Sequence, residues 1–215
     1  MNATAPIILL GSGGHAAHCA ELAVACALGP ITACLDDAPH RLNQEVLGIP
    51  ISGPIGELGA VPAAASVVVA LGDPVTRGRL IALAQIRGLA LSRLVHPAAC
   101  LAQSARLGEA CVVDAGVVIG ARARLGAGVI VDAGASIAHD AWVGGLVHVE
   151  AGARILPGAR IGPSARIGAN AVVMRNAEVA EGSFVPPGAV VEGALAVCTR
   201  QKPRTDPTRQ PSQAN

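Results

Sequence analysis

From Val95 onward an aliphatic residue returns every six positions: Val95, Leu101, Leu107, Val113, Ile119, Leu125, and so on to Val191. Four residues after each comes a second, mostly smaller set, running from Ala99, Ala105 and Cys111 to Ala189 and Leu195. Gly or another turn former often follows the aliphatic position. Two coupled six-residue registers, held without insertion over this length, are the mark of a repeat architecture. The physical reading is a three-walled column. Each hexapeptide makes one short strand and one corner. The aliphatic side chain fills the interior, and the small residue sits where the wall bends. Three hexapeptides close a coil of 18 residues, and coils stack through parallel hydrogen bonds at about 4.8 Å. The repeats from Val95 to Val191 give just under six coils, a column roughly 27 Å tall.

The chain before Val95 follows different periods. Residues 6–10 (PIILL) read as a buried strand that runs into the turn GSGGHA (Gly11–Ala16). An Ala/Leu-rich helix follows to about Leu28. Ile31–Leu35 reads as a second strand ending in Asp36-Asp37, and Ser66–Leu71 as a third ending in Gly72-Asp73. A helix over Val75–Gly88 and a strand into Val95 complete the segment. The expected fold class is therefore a small α/β domain (Rossmann-like, with a short parallel sheet) over residues 1–94, followed by a parallel β-helix over 95–200. Residues 201–215 are rich in Pro, Gln and Arg and lack periodicity, so a disordered tail is expected there.

Composition narrows the function classes. Hydrophobic residues make up 52%, with one Phe, one Trp and no Tyr, which suits an interior of small repeated layers. A net charge of +1 gives no electrostatic footprint for nucleic acid or an anionic membrane. No apolar run reaches the roughly 18 residues needed to span a bilayer. The first ten residues lack the basic start and cleavage site of a signal peptide. A cytoplasmic location is expected. The six cysteines form no C-x-x-C pair and no zinc-ligand spacing, so they read as small buried hydrophobes.

Chemistry is sought where the pattern breaks. A glycine turn between strand and helix lets a ligand approach the backbone and presents free N–H groups to phosphate. Gly13, Gly14 and His15 lie in such a turn, and an unliganded structural turn is the alternative. For His15 itself, ligand contact and backbone capping both remain open. An acid about 20 residues beyond such a turn can accept from a ribose hydroxyl, as Asp36 or Asp37 would. The segment is too short for both halves of a dinucleotide fold, and one nucleotide of a sugar nucleotide suits it better. Of the other histidines, His18 and His40 read as surface residues and His96 as a junction residue. His139 and His148 take outward or corner positions on the column, with Trp142 between them. They are nine residues apart, half of one coil, so one chain places them on different sides. They share a pocket only if columns pack side by side, as a closed trimer would arrange. A hydrogen-bonding role across an interface is the alternative.

The chain resembles the sialic acid O-acetyltransferase and sugar-nucleotide N-acetyltransferase group of hexapeptide-repeat proteins. The resemblance rests on GSGGHA, LDD at 35–37, VVVALGDPVTRGRL at 67–80, LVHPAA at 94–99 and IAHDAWVGGLVHVEAGA at 137–153. It implies a left-handed β-helix, a homotrimer with active sites between subunits, acetyl-CoA as co-substrate and no metal. It further implies that His139 is the general base and that Asp140 helps to polarise it. By the same resemblance His148 contacts acetyl-CoA, and Pro157, Gly158, Ala169 and Pro187 fall along the acetyl-CoA groove. Gly13, Gly14, His15, Asp36, Asp37 and Gly72 match positions that hold the nucleotide sugar. The implied function is N-acetylation of a UDP- or GDP-linked 4-amino sugar by direct transfer.

Three departures stand out. Asp132-Ala133 replaces an Asn-Thr-like step, and Ala138 replaces an acid before the base. Pro157 and Pro187 stand where relatives use glycines, and proline has no N–H to donate. If the oxyanion donor comes from position 157 in relatives, Gly158 or another group must supply it here. Competing readings are O-acetylation of a free sugar acid, a non-catalytic sugar-nucleotide sensor, and a zinc-dependent β-helix carbonic anhydrase. The last needs three histidines at an interface, where this sequence offers two.

Overall fold

The computed structural model describes residues 5–195. Cys198, Lys202, Arg204 and the whole expected tail lie outside the described residues. The first domain is a six-stranded sheet, ordered β3-β4-β2-β1-β5-β6, of β1 (Ile7–Leu10), β2 (Ile31–Leu35), β3 (Glu45–Val46), β4 (Ile49–Gly53), β5 (Ser66–Val69) and β6 (Ala90–Leu91). Helix α1 (Gly14–Ala25) follows β1, and α2 (Pro74–Ile86) follows β5. Asp73 caps α2 by accepting from the Thr76 N–H at 2.7 Å, with Pro74 in the first turn, a favourable start for a helix. The sheet is not wholly parallel as expected: β3 pairs antiparallel with β4. That hairpin escaped the sequence reading because its turn is Leu47-Gly48, both residues at positive φ, without the usual Asn-Gly signal.

The second domain confirms the 18-residue coil. Eighteen two-residue strands, β7 (Leu94–Val95) to β24 (Ala194–Leu195), form three six-stranded sheets in which each strand pairs with the third one on. The register is i to i+18: Val112 pairs with Ile130, Ile130 with His148, and His148 with Arg166. Inward positions form one core from Cys111 and Val113 to Val191. Every sixth residue from Ala110 to Gly188 has a positive φ, one at each corner. The expected register fails at its end. Leu195, expected at a corner, lies in β24 and pairs through its backbone with Val179, short of a full coil. Cysteine burial also departs in part: Cys19, Cys34 and Cys111 are buried, Cys26 is half-buried and Cys100 is exposed.

One outward column records how the domains meet. Leu94, Val112 and Ile130 face out from the first wall in consecutive coils, yet all are buried, packed with Ala16, Cys19, Leu22 and Ala23 of α1. The next two residues in that column are His148 and Arg166. The column is apolar under α1 and polar at the two positions beyond it, before Phe184. Each of those buried aliphatic side chains contributes roughly 1.5–3 kcal/mol of hydrophobic stabilisation.

Arg77 of α2 locks the two domains. Its side chain is wholly buried, and among the described residues no carboxylate pairs with it. Nε donates to the Gly128 carbonyl at 2.8 Å. Nη1 donates to Leu71 at 3.0 Å and Gly72 at 2.6 Å, and Nη2 to Leu146 at 2.6 Å. Two acceptors belong to the loop after β5 and two to corners of the column. Burial pushes the guanidinium down to about 10, so it stays charged at neutral pH. Arg77→Met leaves these carbonyls without their donor, each costing about 1–3 kcal/mol. Scanning calorimetry at fixed protomer concentration is expected to show a melting temperature lower by at least about 5 °C.

Candidate active site

His139 and Asp140 occupy the corner after β14 (Ser136–Ile137) on the second wall. Asp140 takes the positive-φ position (φ 62), which Asp tolerates better than most residues. The corner lies close to the coil before it: a Cβ on Gly120 would stand 2.6 Å from the His139 backbone nitrogen. His139 Nδ1 contacts Asp140 Oδ2 at 2.7 Å, a contact made with the proton on Nδ1, which leaves the lone pair of the neutral ring on Nε2. Arg122, one full coil earlier, grips the same carboxylate with two bonds of 2.6 and 2.7 Å. The Arg122 guanidinium, and then His139, hold the Asp140 carboxyl well below the usual carboxylate range. Sequence reasoning missed Arg122, although its register with Asp140 places it directly beside that residue. The His139 side chain remains 50% exposed, so one protomer does not enclose it.

His148 stands on the first wall, at the margin of the surface covered by α1. Its Nε2 contacts Asp132 Oδ2 at 2.8 Å. Asp132 belongs to a corner column with Asp114 and Glu150. Asp114 pairs with His18 at 3.1 Å, and Glu150 pairs with Arg166 while also accepting from the Ala169 N–H at 2.9 Å. His18 is thus a surface residue, as expected, but one that ties α1 to the column. His40 is exposed in a short turn of 3₁₀ helix (Pro39–Arg41), and His96 Nδ1 accepts from the Ala98 N–H at 3.0 Å, a junction role. Within one chain His139 and His148 lie at different walls, as their nine-residue spacing implies.

The glycine turn has two kinds of glycine. Gly11 has φ +109, and a Cβ there would stand 2.9–3.0 Å from Leu71 and Ala70. Its role is structural. Gly13, Gly14 and Gly72 have ordinary φ, and a Cβ at any of them would meet nothing within 4 Å. Nothing in the protomer requires them to be glycine, whereas a ligand lying against the backbone would. His15, in the first turn of α1, has an Nε2 that is buried and lacks a partner. Burial, then the charges of His148 and His18, lower its pKa to about 4, with Asp132 opposing and Arg77 adding to the effect. Asp36 is largely occupied internally. It accepts from the Ser12 N–H at 2.8 Å, the Ser12 hydroxyl at 2.6 Å and the Ala38 N–H at 2.8 Å, while Arg41 reaches the Ser12 carbonyl. Asp37 accepts from the Ile55 N–H at 2.8 Å.

Gly158 does not take the role left open for it. Its N–H donates to the His139 carbonyl at 3.2 Å, because this position closes the coil onto the one before. The Ala169 N–H is taken by Glu150. Pro157 and Pro187 lie in the corners after their strands, and Trp142 is exposed on the third wall with Arg160 stacked 5.6 Å over its ring. Among the described residues no group of three His, Cys, Asp or Glu is disposed to hold a metal ion. Nor is any helix among them long and apolar enough to cross a membrane.

Comparison with known proteins bears on this arrangement. Residues 6–83 match the PglD N-terminal domain model, and residues 158–193 match the bacterial transferase hexapeptide (six repeats). The acetyltransferase domain of PglB from Neisseria gonorrhoeae, solved with acetyl coenzyme A, is 32% identical over 89% of this chain and 93% of its own, with a TM-score of 0.84. The chain belongs to the hexapeptide-repeat acetyltransferases. Its β-helix is accordingly left-handed. PerB from Caulobacter crescentus, solved with CoA and GDP-perosamine, is 31% identical over 88% of this chain and 90% of its own, with a TM-score of 0.83. WeeI from Acinetobacter baumannii, 20% identical over 88% of this chain and 97% of its own with a TM-score of 0.71, shares the fold. No curated protein matches the sequence.

The glycine turn and His15 of this acetyltransferase can each be tested without substrate. Gly13→Ala and Gly14→Ala are expected to melt within about 2 °C of the wild type, and Gly11→Ala at least about 4 °C lower, as read by thermal unfolding. His15 binds its proton more weakly folded than unfolded. The unfolded state therefore holds more protons between pH 6.5 and about 4, and the His15 contribution to stability is complete above that window and lost as pH falls through it. An NMR titration is expected to show one imidazole still neutral at pH 5, absent from the spectrum of His15→Gln.

Proposed function

We propose that this protein transfers acetyl from acetyl-CoA to the amino group of a UDP- or GDP-linked amino sugar, working as a cytoplasmic homotrimer with active sites between subunits. The observation that carries the reading is the His139–Asp140–Arg122 array. It stands half exposed at a column edge, in a chain that resembles PglB and PerB over most of its length.

The placement of the residues supports the trimer. His139, Pro157 and Gly158 lie on the corners between the second and third walls. Asp132, Ala169 and Pro187 lie on the corners between the first and second, with His148 beside them. These two edges flank the second wall, whose outward column includes the exposed Val118 and Val190. The third wall carries Arg106, Arg124 and Arg160 with Glu178, whereas the second carries the single arginine Arg154. A three-fold assembly with the second wall inward sets the His139 edge of one protomer against the His148 edge of the next. Acetyl-CoA would lie in that groove. The nucleotide would lie on the open backbone at Gly13, Gly14 and Gly72, with the unpartnered His15 nitrogen beside it. Asp36 acts there by shaping the turn. The free thiols of Cys19, Cys26, Cys34, Cys100 and Cys111 accord with a reducing compartment.

The chemistry is direct. The amine attacks the thioester carbon while His139 Nε2 accepts its proton, and Asp140 stabilises the imidazolium through Nδ1. The C–N bond forms, the C–S bond breaks, and the departing thiolate takes that proton. Holding both substrates in one groove supplies much of the rate. With acetyl-CoA and a panel of UDP- and GDP-linked 4-amino sugars, the wild type is expected to release thiol with at least one acceptor. His139→Ala is expected to keep the trimer mass in sedimentation and lose at least about a hundredfold in kcat. A near wild-type rate with the same acceptor would refute the base assignment.

A further inference from the structure

One corner of the column carries a residue that its backbone does not favour. Arg122 (φ 59), Asp140 (φ 62), Gly158 (φ 72) and Asn176 (φ 57) stand one coil apart at the same corner position, where the chain takes the left-handed conformation. Glycine meets that demand freely, and Asp and Asn tolerate it, but a bulky side chain does not. Arg122 is the only basic residue at positive φ among the described residues. The fold gives no reason for it. The Arg122 N–H donates to the Ser104 hydroxyl at 3.1 Å, a main-chain bond that glycine would keep. A residue held in an unfavourable conformation that the local fold does not require points to a role for its side chain.

That side chain is committed to one carboxylate. Nε donates to Asp140 Oδ1 at 2.6 Å and Nη2 to Asp140 Oδ2 at 2.7 Å, and Oδ2 also meets His139 Nδ1 at 2.7 Å. Among the described residues the His139 ring has no hydrogen-bond partner but Asp140, and the Arg122 guanidinium none but the same carboxylate. Ala138, Gly120 and Pro157, which neighbour His139 in the chain and in the adjoining coils, offer no polar side-chain atom. A single contact therefore sets the orientation of the imidazole. All three side chains are exposed, and exposed ion pairs add little to folding stability. What the planar fork adds is geometry. It engages both oxygens at once and fixes the plane of a carboxylate that would otherwise turn about its own bonds.

We propose that Arg122 is a positioning residue of the transfer reaction, which locks the plane of the Asp140 carboxylate and through it the His139 ring, at the expense of a left-handed backbone. This rests on the base assignment made above. Arg122 touches neither substrate and moves no proton. Its contribution is to hold His139 in one orientation while the amine attacks.

The test compares Arg122→Gly, which suits the backbone, with Arg122→Lys, and repeats Arg122→Gly in an Asp140→Ala background. Arg122→Gly is expected to melt within about 2 °C of the wild type. It is expected to lower kcat about tenfold, with KM for acetyl-CoA and for the sugar nucleotide within about twofold. Arg122→Lys keeps the charge without the fork and is expected to recover part of that loss, to within about threefold of wild type. In the Asp140→Ala background Arg122→Gly is expected to cost less than about twofold further, because the carboxylate through which it acts is gone. In the substrate-free protein, a carbon-13 titration is expected to show the Asp140 carboxyl rising toward the ordinary carboxylate range in Arg122→Gly. A kcat for Arg122→Gly within about twofold of wild type overturns the proposal. So does a loss confined to KM, which would place Arg122 on a substrate, or an equal loss with and without Asp140. A melting temperature lower by more than about 5 °C would make the residue structural and overturn it as well. Failure of the functional reading looks different: the wild type itself would release no thiol with any acceptor, while the carboxyl titration still reported the clamp.

Discussion

Each strand of the column must find its hydrogen bonds on the coils directly before and after it, and that single requirement sets the positions of the site. Because partners are fixed at i and i+18, an outward residue has the same neighbours in every coil, and chemistry is laid out in columns. Arg122 reaches Asp140 by this rule, and Pro157 stands above His139 by it. A corner acid falls slightly less than one coil before the strand residue it meets, as Asp132 does with His148 and Glu150 with Arg166. The insertion of one residue anywhere between would carry every later side chain to the opposite face.

The first domain is registered to this frame by burial and by one cation. Leu94, Val112 and Ile130 accept the apolar face of α1, and Arg77 ties the loop that holds Gly72 to two corners of the column. Buried arginine bound only to carbonyls is an uncommon solution. It works because guanidinium offers five donors in a planar fork and retains its charge at any physiological pH. Apolar contact alone would allow the domain to slide along the wall. The four directional bonds fix where His15 stands relative to His148.

Much of this was legible in the sequence, for a physical reason. A strict repeat makes side-chain direction a matter of arithmetic, so the coil, the inward positions and the separation of His139 from His148 could be read directly. The end of the pattern could not. Leu195 lies four residues after Val191, as a corner residue should, and only the altered pairing with Val179 shows that the last corner has lost two residues. Arg77 was equally hidden, since arginine is assigned to the surface unless a partner is visible, and its partners are main-chain carbonyls, two of them 51 and 69 residues away. The acids of LDD are a different case. Their spacing from the glycine turn is right for a ribose, but much of the carboxylate capacity of Asp36 serves Ser12 and Ala38.

The early return of the last strand bears on how such a column avoids its own copies. A solenoid ends in open strand edges, which invite another chain to continue the ladder indefinitely. Because β24 meets β21 (Glu178–Val179) before a full coil is complete, the third wall no longer matches the other two at that end. A second molecule arriving with regular coils would find two walls in step and one displaced. The shortened corner leaves the three walls out of step at the last described coil, a mismatch that a regular ladder would have to absorb.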